Sequence, residues 1–491
     1  MINKLIIENF RSIKELELEL GKFNAFIGPN NAGKSNIMRA LNLILGETYP
    51  TIRSFIDKDF FNYDKTSPIK IEVRFYSRLE FHNIQINGFQ LTFNGKNCEY
   101  FAIDNNGNVL TYSRSSGKEV RVSNEMKDKV ALMYLGLERE ASQQIRPTRW
   151  TLYGKLLRFI EEKIEPEKRD SFKKNIKESY DLNISPNIQQ MENILKTHIK
   201  EQTGLDLHLR LSILDPLEII KNLRPYFQED PSSKEFDAED MGTGTQSALA
   251  IARAYAEIIR QPLIMAIEEP ELYLHPHGCR HFYRLLRDLS ESGIQIIYTT
   301  HERSFVDISN FQSIHLVRKE SGQTKIYSGI GKRITDWDSI KLASKFDENI
   351  NEVFFANHVI LVEGPDDKFA CRFALERQGI ELDRKSVSII ECGGNTAIKP
   401  IAEILKCFKI PTYALLDEDP GNQRTQEIIS ELKNLLGEDN VFLQEPDLDR
   451  LFGLDRKLSK ADAISYFSEY FSRPDVDIPK VYEKIRERLG R

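Results

Sequence analysis

Two groups of residues in this sequence have the types and spacing that phosphate chemistry requires. The first, residues 28–35, reads GPNNAGKS and matches the phosphate-loop pattern G-x-x-x-x-G-K-S. Backbone N–H groups of such a loop bind phosphate oxygens, Lys34 reaches the β- and γ-phosphates, and Ser35 holds Mg²⁺. The ATP contacts expected from the loop are Asn30, Asn31, Gly33, Lys34, Ser35 and Asn36.

Acidic residues follow an apolar run further along the chain, in LIMAIEEPE at residues 263–271. We expect Glu268 in the Mg²⁺ shell and Glu269 polarising the water that attacks ATP. His301 closes the next apolar run, IQIIYTTH, where it could contact the γ-phosphate. Two adjacent glutamates are usually a solvated surface feature. At the end of a strand downstream of a phosphate loop, the functional interpretation is favoured.

The second group lies in VEGPDD and LLDEDP. Glu363 ends one predicted strand, with Asp367 four residues on, and Asp417 and Asp419 end another. Residues i and i+2 of an extended segment project from the same face, and two buried carboxylates need a cation. Oxygen ligands at strand ends suit Mg²⁺ or Mn²⁺, which can stabilise the attacking and leaving oxygens of a phosphodiester.

These residues need strands that end beside one another. FNAFI before the phosphate loop reads as a strand and NIMRALNLIL after it as a helix. ELELEL alternates like a half-buried strand, and a turn over residues 104–107 predicts a hairpin. From about residue 358 strands and helices alternate, which predicts a parallel sheet. The predicted fold class is α/β.

GTGTQ, at residues 242–246, precedes a helix as the signature of an ABC-type ATPase does. With the phosphate loop, it makes the first 330 residues resemble the ABC-type ATPases of DNA metabolism, the group of RecF and SMC-like proteins. That resemblance implies head-to-head pairing on ATP, in which Gly242, Thr243 and Gly244 act on the partner's nucleotide. The Glu-Glu pair and the missing L-S-G-G pattern depart from the group, which favours slow hydrolysis and ATP as a switch.

V-E-G, G-G and L-D-x-D on alternating strands and helices resemble a Toprim domain. An ABC-type ATPase joined to a Toprim domain resembles the overcoming-lysogenisation-defect (OLD) family of endonucleases. The resemblance implies Glu363, Asp367, Asp417 and Asp419 as metal ligands, with Asp367 in place of a more common glutamate. A late lysine is implied to contact the phosphate, and the candidates are Lys460 and then Lys457.

Glu445, Asp447 and Asp449 form a further acidic group within NVFLQEPDLD, the last predicted strand. Glu445 and Asp447 are candidate ligands of a second metal ion. An acidic cluster at a helix entry is an equally good interpretation.

The pattern divides the chain into an ATPase part at 1–149, a helical insertion at 150–204, a second ATPase part at 205–345 and a Toprim domain at 346–491. The insertion predicts dimerisation, or else a solvated bundle. Five scattered cysteines build neither a zinc ribbon nor a disulfide framework, and fit a reducing, cytoplasmic compartment. We expect no membrane span and no signal peptide. The net charge of −6 is unlike that of a globally basic nucleic-acid binder.

The favoured function is an ATP-regulated, Mg²⁺- or Mn²⁺-dependent DNA endonuclease, forming a homodimer or higher oligomer. The family resemblance adds a role in anti-phage defence and a separately encoded partner. The alternative is a DNA-repair clamp of RecF/SMC type with an inactive Toprim domain. A primase would need a zinc module, and a type II topoisomerase would need a tyrosine-bearing cleavage domain.

Overall fold

The computed structural model describes residues 1–112, 117–136, 151–196 apart from 187, 190 and 194, 226–228, 234, 236–237, 263–272, 274–335, 348–454 and 458–490. The chain divides into two compact units, one of residues 1–130 with 264–491 and one of residues 131–263. Among the described residues, no helix combines the length and apolar character that crossing a lipid bilayer demands.

The first sheet of the larger unit is antiparallel, with the strand order β2-β1-β4-β5-β6. Its β2 buries Ile13, Leu16 and Leu18 while the intervening side chains are exposed, as the alternating sequence predicts. The predicted hairpin is present, since Asp104 N donates to Asn108 O at 2.9 Å. The strands are β1 (Ile2–Phe10), β2 (Ile13–Glu19), β4 (Ile69–Phe81), β5 (Ile84–Phe93) and β6 (Cys98–Ile103).

The second sheet carries the phosphate loop. Within the larger unit its strands run in the order β13-β12-β3-β11-β10. All neighbours are parallel except β12 and β13, which form a hairpin. Every residue of β10 and β11 is buried, as expected for strands covered on both faces. The elements are β3 (Phe23–Ile27), α1 (Lys34–Leu45), α2 (Asn124–Asp128), β10 (Leu263–Glu268), α5 (Pro276–Glu291), β11 (Gln295–Thr300), β12 (Ile314–Glu320) and β13 (Gln323–Ser328).

The third sheet is wholly parallel, with the order β15-β14-β16-β17. Phe467 and Tyr482 are fully buried in its core beside the helix that follows β14. The predicted alternation of strands and helices is therefore confirmed. The elements are β14 (His358–Val362), α6 (Pro365–Arg377), α7 (Leu382–Lys385), β15 (Val387–Glu391), α8 (Asn395–Cys407), β16 (Thr412–Asp417), α9 (Gln423–Leu436), β17 (Val441–Gln444), α10 (Leu448–Phe452), α11 (Lys460–Ser472) and α12 (Lys480–Leu489).

Short 3₁₀ turns connect these elements at Ile52–Ser54, Asp57–Asp59, Phe61–Tyr63, Arg303–Phe305, Ile308–Ser313, Glu348–Phe355 and Glu438–Asn440. The smaller unit contains β7 (Ala131–Leu135), α3 (Leu152–Glu162), α4 (Pro166–Asn183) and a two-stranded ladder of β8 (Tyr226–Phe227) and β9 (Phe236–Asp237). The predicted signature residues Gly242, Thr243 and Gly244 lie outside the described residues, as does Lys457.

Candidate functional site

The loop between β3 and α1 requires glycine at two motif positions. Gly28 has a φ of 139° and Gly33 a φ of 114°, a region that residues with a side chain rarely adopt. A Cβ at Gly28 would lie 2.1 Å from the carbonyl oxygen of Val317, and one at Gly33 would lie 2.1 Å from Thr324 Oγ1. The motif glycines therefore serve both the backbone conformation and close packing against the β12–β13 hairpin.

Lys34 is held at the centre of this loop. Its Nζ donates to the carbonyl oxygens of Gly28 at 2.8 Å and Pro29 at 3.0 Å. Burial lowers the pKa of Lys34 to about 8, while the charges of Glu269, Glu271 and Glu268 act in the opposite direction. The ammonium group thus lies where the motif predicts a phosphate contact, with acidic residues close to it.

The other predicted ATP contacts differ in their availability. Asn30, Asn31 and Ser35 are exposed. Asn36 is half-buried, and its Nδ2 donates to Ser12 Oγ at 2.7 Å while its Oδ1 accepts from Arg11 at 3.2 Å. Asn36 therefore has protein partners that support the loop, and its direct contact with ATP stays a prediction.

The C-terminal ends of β10 and β11 bring the predicted glutamates and histidine together. Glu268 is buried at the end of β10, and the backbone N of Glu269 donates to Thr299 O at 2.9 Å. His301 Nε2 lies 3.7 Å from Glu269 Oε1. Burial, and then the charge of Lys34, lowers the pKa of His301, which favours its neutral form. The three side chains thus lie in the electrostatic field of the phosphate-loop lysine.

The second acidic group lies at the carboxyl edge of the third sheet. Glu363 follows β14, and its Oε1 lies 3.4 Å from the backbone N of Asp417 at the end of neighbouring β16. Asp417 Oδ1 also accepts from the backbone N of Leu448 at 2.8 Å. Asp417 therefore belongs to the acidic edge and also accepts a hydrogen bond from the first turn of α10.

Asp367 lies beneath this edge. Its Oδ2 accepts from Gly364 N at 3.0 Å, and its Oδ1 accepts from Gln444 Nε2 at 2.8 Å. Burial raises the pKa of Asp367 to about 8, and the neighbouring charges of Asp366 and Asp417 add to the increase. Asp367 is thus a deep member of the group.

The same-face argument for Asp417 and Asp419 is wrong. β16 ends at Asp417, and Asp419 has a φ of 43°, so the chain leaves the extended conformation at Asp419. The N–H of Asp419 donates to Pro446 O at 3.0 Å, which ties this turn to the segment after β17. The role of Asp419 as a ligand stays a prediction, without the strand alternation that first suggested it.

Asp447 has a structural contact. Its Oδ1 accepts from Arg450 N at 2.8 Å and caps α10 at its N-terminus. Glu445 is exposed two residues earlier. The helix-entry interpretation of this acidic group therefore has direct support for Asp447, and a second metal site there stays a prediction.

Lys460 begins α11 and is 61% exposed, with its Nζ 3.8 Å from Glu391 Oε1. Glu391 ends β15, whose register places it opposite Val362, the residue before Glu363. Lys460 therefore reaches the acidic edge from a neighbouring helix. Within the described part of the chain, no group of three or more His, Cys, Asp or Glu side chains is placed so that it could hold a metal ion.

Known proteins match both halves of this arrangement. The family model "Overcoming lysogenization defect protein-like, TOPRIM domain" matches residues 354–419, and "AAA ATPase domain" matches residues 1–146 and 133–306. The OLD nuclease of Thermus scotoductus is 30% identical, over 94% of this chain and 93% of its own length. The chain belongs to the OLD nuclease family.

Two other relatives agree with this assignment. The Old nuclease of Escherichia phage P2 is 27% identical, over 84% of this chain and 76% of its own length. The endonuclease GajA of Bacillus cereus is 20% identical, over 89% of this chain and 79% of its own length. The predictions of an ATPase joined to a Toprim domain, and of an ATPase endonuclease, are confirmed. The two domains imply the use of nucleotide and of a divalent metal ion.

Several side chains at the two candidate sites were not singled out by sequence. Glu391 and Gln444 end the strands on either side of β14 and β16, so the strand-end signal that marked Glu363 could have found them. Glu271 accepts from His301 N and Thr300 Oγ1. Thr324 donates to Ala32 O in the phosphate loop from 292 residues away, and no local pattern marks it.

Proposed function

We propose that this member of the family is an ATP-regulated DNA endonuclease that uses Mg²⁺ or Mn²⁺ and nicks or cuts DNA. The observation that carries the proposal is the contact of Glu363 with Asp417 above the buried Asp367, at the carboxyl edge of the Toprim sheet. The same chain carries a phosphate loop with its lysine beside three glutamates. The acidic edge supplies the nuclease site, and the loop supplies the regulatory site.

The donor atoms at the Toprim edge fit a hard divalent cation. All candidate ligands there are oxygen atoms, which Mg²⁺ and Mn²⁺ prefer. Glu391 Oε2 and Gln444 Oε1 are buried and have no hydrogen-bond partner among the described residues. Buried acceptors without a donor are costly, so a cation or its water ligands would satisfy them. A site of this composition suits a metal ion better than it suits an apolar ligand.

Each side chain has a separate role in the proposed cleavage. Glu363, Asp417 and Asp419 would hold the metal ion, with Asp367 as a deeper ligand. A bound divalent cation acts as a Lewis acid that stabilises the oxygens of the phosphodiester. Lys460 would contact the scissile phosphate from α11. The ion pair between its Nζ and Glu391 Oε1 places its ammonium group at the edge.

At the ATP site, Lys34 would bind the phosphates, with Ser35 and Glu268 on the side of the nucleotide's metal ion. Glu269 would accept a proton from the attacking water, and neutral His301 would contact the γ-phosphate. The backbone N–H groups of the loop would orient the phosphate chain. Removing Lys34 therefore abolishes ATP binding and leaves the Toprim edge formed.

We further infer a homodimer or higher oligomer in which Gly242, Thr243 and Gly244 meet the partner's nucleotide. Light scattering with and without ATP tests this, and a monomer under both conditions would remove the composite site. A role in anti-phage defence, with a separately encoded partner, follows from the family alone.

The direct test is conversion of supercoiled plasmid to nicked and linear forms by the full chain. We expect activity with Mg²⁺ or Mn²⁺, no activity in EDTA, and recovery when metal is restored. ATP should change the rate, and in Lys34→Ala that change should disappear while metal-dependent cutting remains. Absence of cutting by the wild type in every metal tested would leave the repair-clamp function as the better account.

A further inference from the structure

The β12–β13 hairpin contacts the phosphate loop on one side and the Toprim domain on the other. Its turn is two residues long, and both Ser321 and Gly322 have positive φ angles, of 48° and 80°. Such a turn matches the twist of its strands and makes a compact hairpin. Because β12 also pairs with β3, the strand that leads into the phosphate loop, the hairpin is continuous with the sheet that carries the loop.

Thr324 attaches the hairpin to the phosphate loop. It is 1% exposed, its backbone N donates to Ser12 O at 2.8 Å, and its Oγ1 donates to Ala32 O at 2.8 Å. Ser12 Oγ lies 2.7 Å from Thr324 Oγ1 and accepts from Asn36 Nδ2 at 2.7 Å. Because a carbonyl oxygen can only accept, the Thr324 hydroxyl hydrogen points to Ala32 and Ser12 donates to Thr324.

The resulting chain of donors runs from Asn36 through Ser12 and Thr324 to Ala32. Both hydroxyl groups in it are used as donor and as acceptor. Asn36 and Ala32 lie on opposite sides of Lys34 in sequence. A shift of the loop on binding phosphate would therefore act on β13 through these hydrogen bonds.

The other strand of the hairpin, β12, contacts the Toprim domain. The carbonyl oxygen of Val317 packs so closely on Gly28 that a Cβ there would lie 2.1 Å from it. The next residue, Arg318, donates through its guanidinium to the carbonyl oxygens of Ala356 and Lys409, both at 3.4 Å. Lys409 in turn places its Nζ 5.1 Å from the ring centre of Tyr327 on β13.

These Toprim contacts lie in the segments just before two particular strands. Ala356 precedes β14 and Lys409 precedes β16, which pair in parallel. At their other ends the same strands lead to Glu363 and Asp417. Arg318 thus contacts the segments that lead into the two strands of the acidic edge, and paired strands are rigid elements that can carry a displacement along their length.

We propose that the β12–β13 hairpin couples the nucleotide state of the phosphate loop to the nuclease edge, with Thr324 positioning the loop and Arg318 moving β14 and β16. The inference rests on the proposed function as an ATP-regulated nuclease. ATP can shift the Toprim strands only as far as its contacts with the loop differ between the two states. In this proposal the hairpin would have two positions, one with ATP bound to the loop and one without it.

The first test compares Arg318→Met with the matched control Lys325→Met. Methionine keeps the apolar stem of Arg318 and removes the guanidinium. Lys325 is exposed, lies opposite Arg318 in the hairpin register, and loses the same charge. We measure plasmid nicking by the full chain with and without ATP, and ATP affinity by calorimetry. Arg318→Met should bind ATP as the wild type does, yet its nicking rate should no longer respond to ATP.

A second measurement does not depend on DNA cleavage. Hydrogen exchange of the full chain should show that ATP changes protection in peptides 356–363 and 409–417 of the wild type and of Lys325→Met. In Arg318→Met these peptides should no longer respond to ATP. Thr324→Val should weaken ATP binding about tenfold, because Ala32 O loses its buried donor, and Thr324→Ser should restore it.

The two proposals fail differently. A wild type that never cuts plasmid contradicts the nuclease function, while hydrogen exchange still decides the coupling. The coupling is overturned if ATP leaves both peptides unchanged in the wild type, or if Arg318→Met responds to ATP as fully as Lys325→Met. Equal ATP affinity in Thr324→Val and the wild type would remove Thr324 as a positioning residue.

Discussion

Glu271 holds the turn that carries His301. Its Oε1 accepts from the backbone N of His301 at 2.8 Å and from Thr300 Oγ1 at 2.9 Å. Through these contacts the ring of His301 is kept 3.7 Å from Glu269, measured from Nε2 to Oε1. Burial raises the pKa of Glu271, and the two hydrogen bonds oppose that increase. Glu271 therefore holds the turn of His301, and we propose that it acts on ATP hydrolysis only through that turn.

Glu271→Ala should lower kcat for ATP hydrolysis about tenfold or more, since lost buried hydrogen bonds cost roughly 1–3 kcal/mol. Its KM for ATP should change little, because Lys34 and the loop are intact. Glu271→Gln keeps an oxygen acceptor for both donors and should stay near the wild-type rate. Phosphate release under steady-state conditions gives both constants. Equal loss in the two variants would mean that the charge of Glu271 matters, not its hydrogen bonds.

The parts of both sites that follow from local pattern were predictable. The phosphate loop is a continuous motif, and Glu268, Glu363 and Asp417 each close or follow an apolar strand. Asp419 was wrongly predicted to share a strand face with Asp417. The strand ends at Asp417, and the φ of 43° at Asp419 ends the alternation of side chains. Thr324 could not be predicted, since its partner Ala32 is distant in sequence and meets it only when β12 pairs with β3.

Asp447 offers a test of the second metal site against the helix cap. Asparagine caps a helix as well as aspartate does, whereas alanine costs ~1 kcal/mol at such a position. If Asp447 serves only α10, Asp447→Asn should cut plasmid with the wild-type dependence on Mg²⁺ concentration, and Asp447→Ala should lower the melting temperature. Metal titration of nicking and thermal unfolding measure the two effects. A strong rise in the metal requirement of Asp447→Asn would restore Asp447 as a ligand.

His315 makes folding stability depend on pH. It is fully buried against Phe26, and burial lowers its pKa to about 3 from an ordinary value of 6.5. Between these values the unfolded chain binds the proton that the folded chain excludes, so stability falls as pH decreases through this range. Above pH 6.5 the penalty is absent.

The expected result is a melting temperature that falls between pH 7.5 and pH 5, with a shallower fall in His315→Gln. The variant should be less stable at pH 7.5, because stacking on Phe26 is lost, so the slope and not the level is the readout. His82→Gln, at an exposed position, is the matched control. An unchanged slope in His315→Gln would show that other groups cause the acid sensitivity.

The measurement that tests the central claim most directly is plasmid cutting by Asp417→Asn. Asparagine keeps an oxygen that can accept from Leu448 N, so this contact with the first turn of α10 should remain, while the charge that would hold the metal ion is lost. We expect wild-type ATP binding and an unchanged melting temperature, with nicking abolished in both Mg²⁺ and Mn²⁺. Cutting by Asp417→Asn at the wild-type rate and metal concentration would contradict the assignment of the nuclease to the Toprim edge.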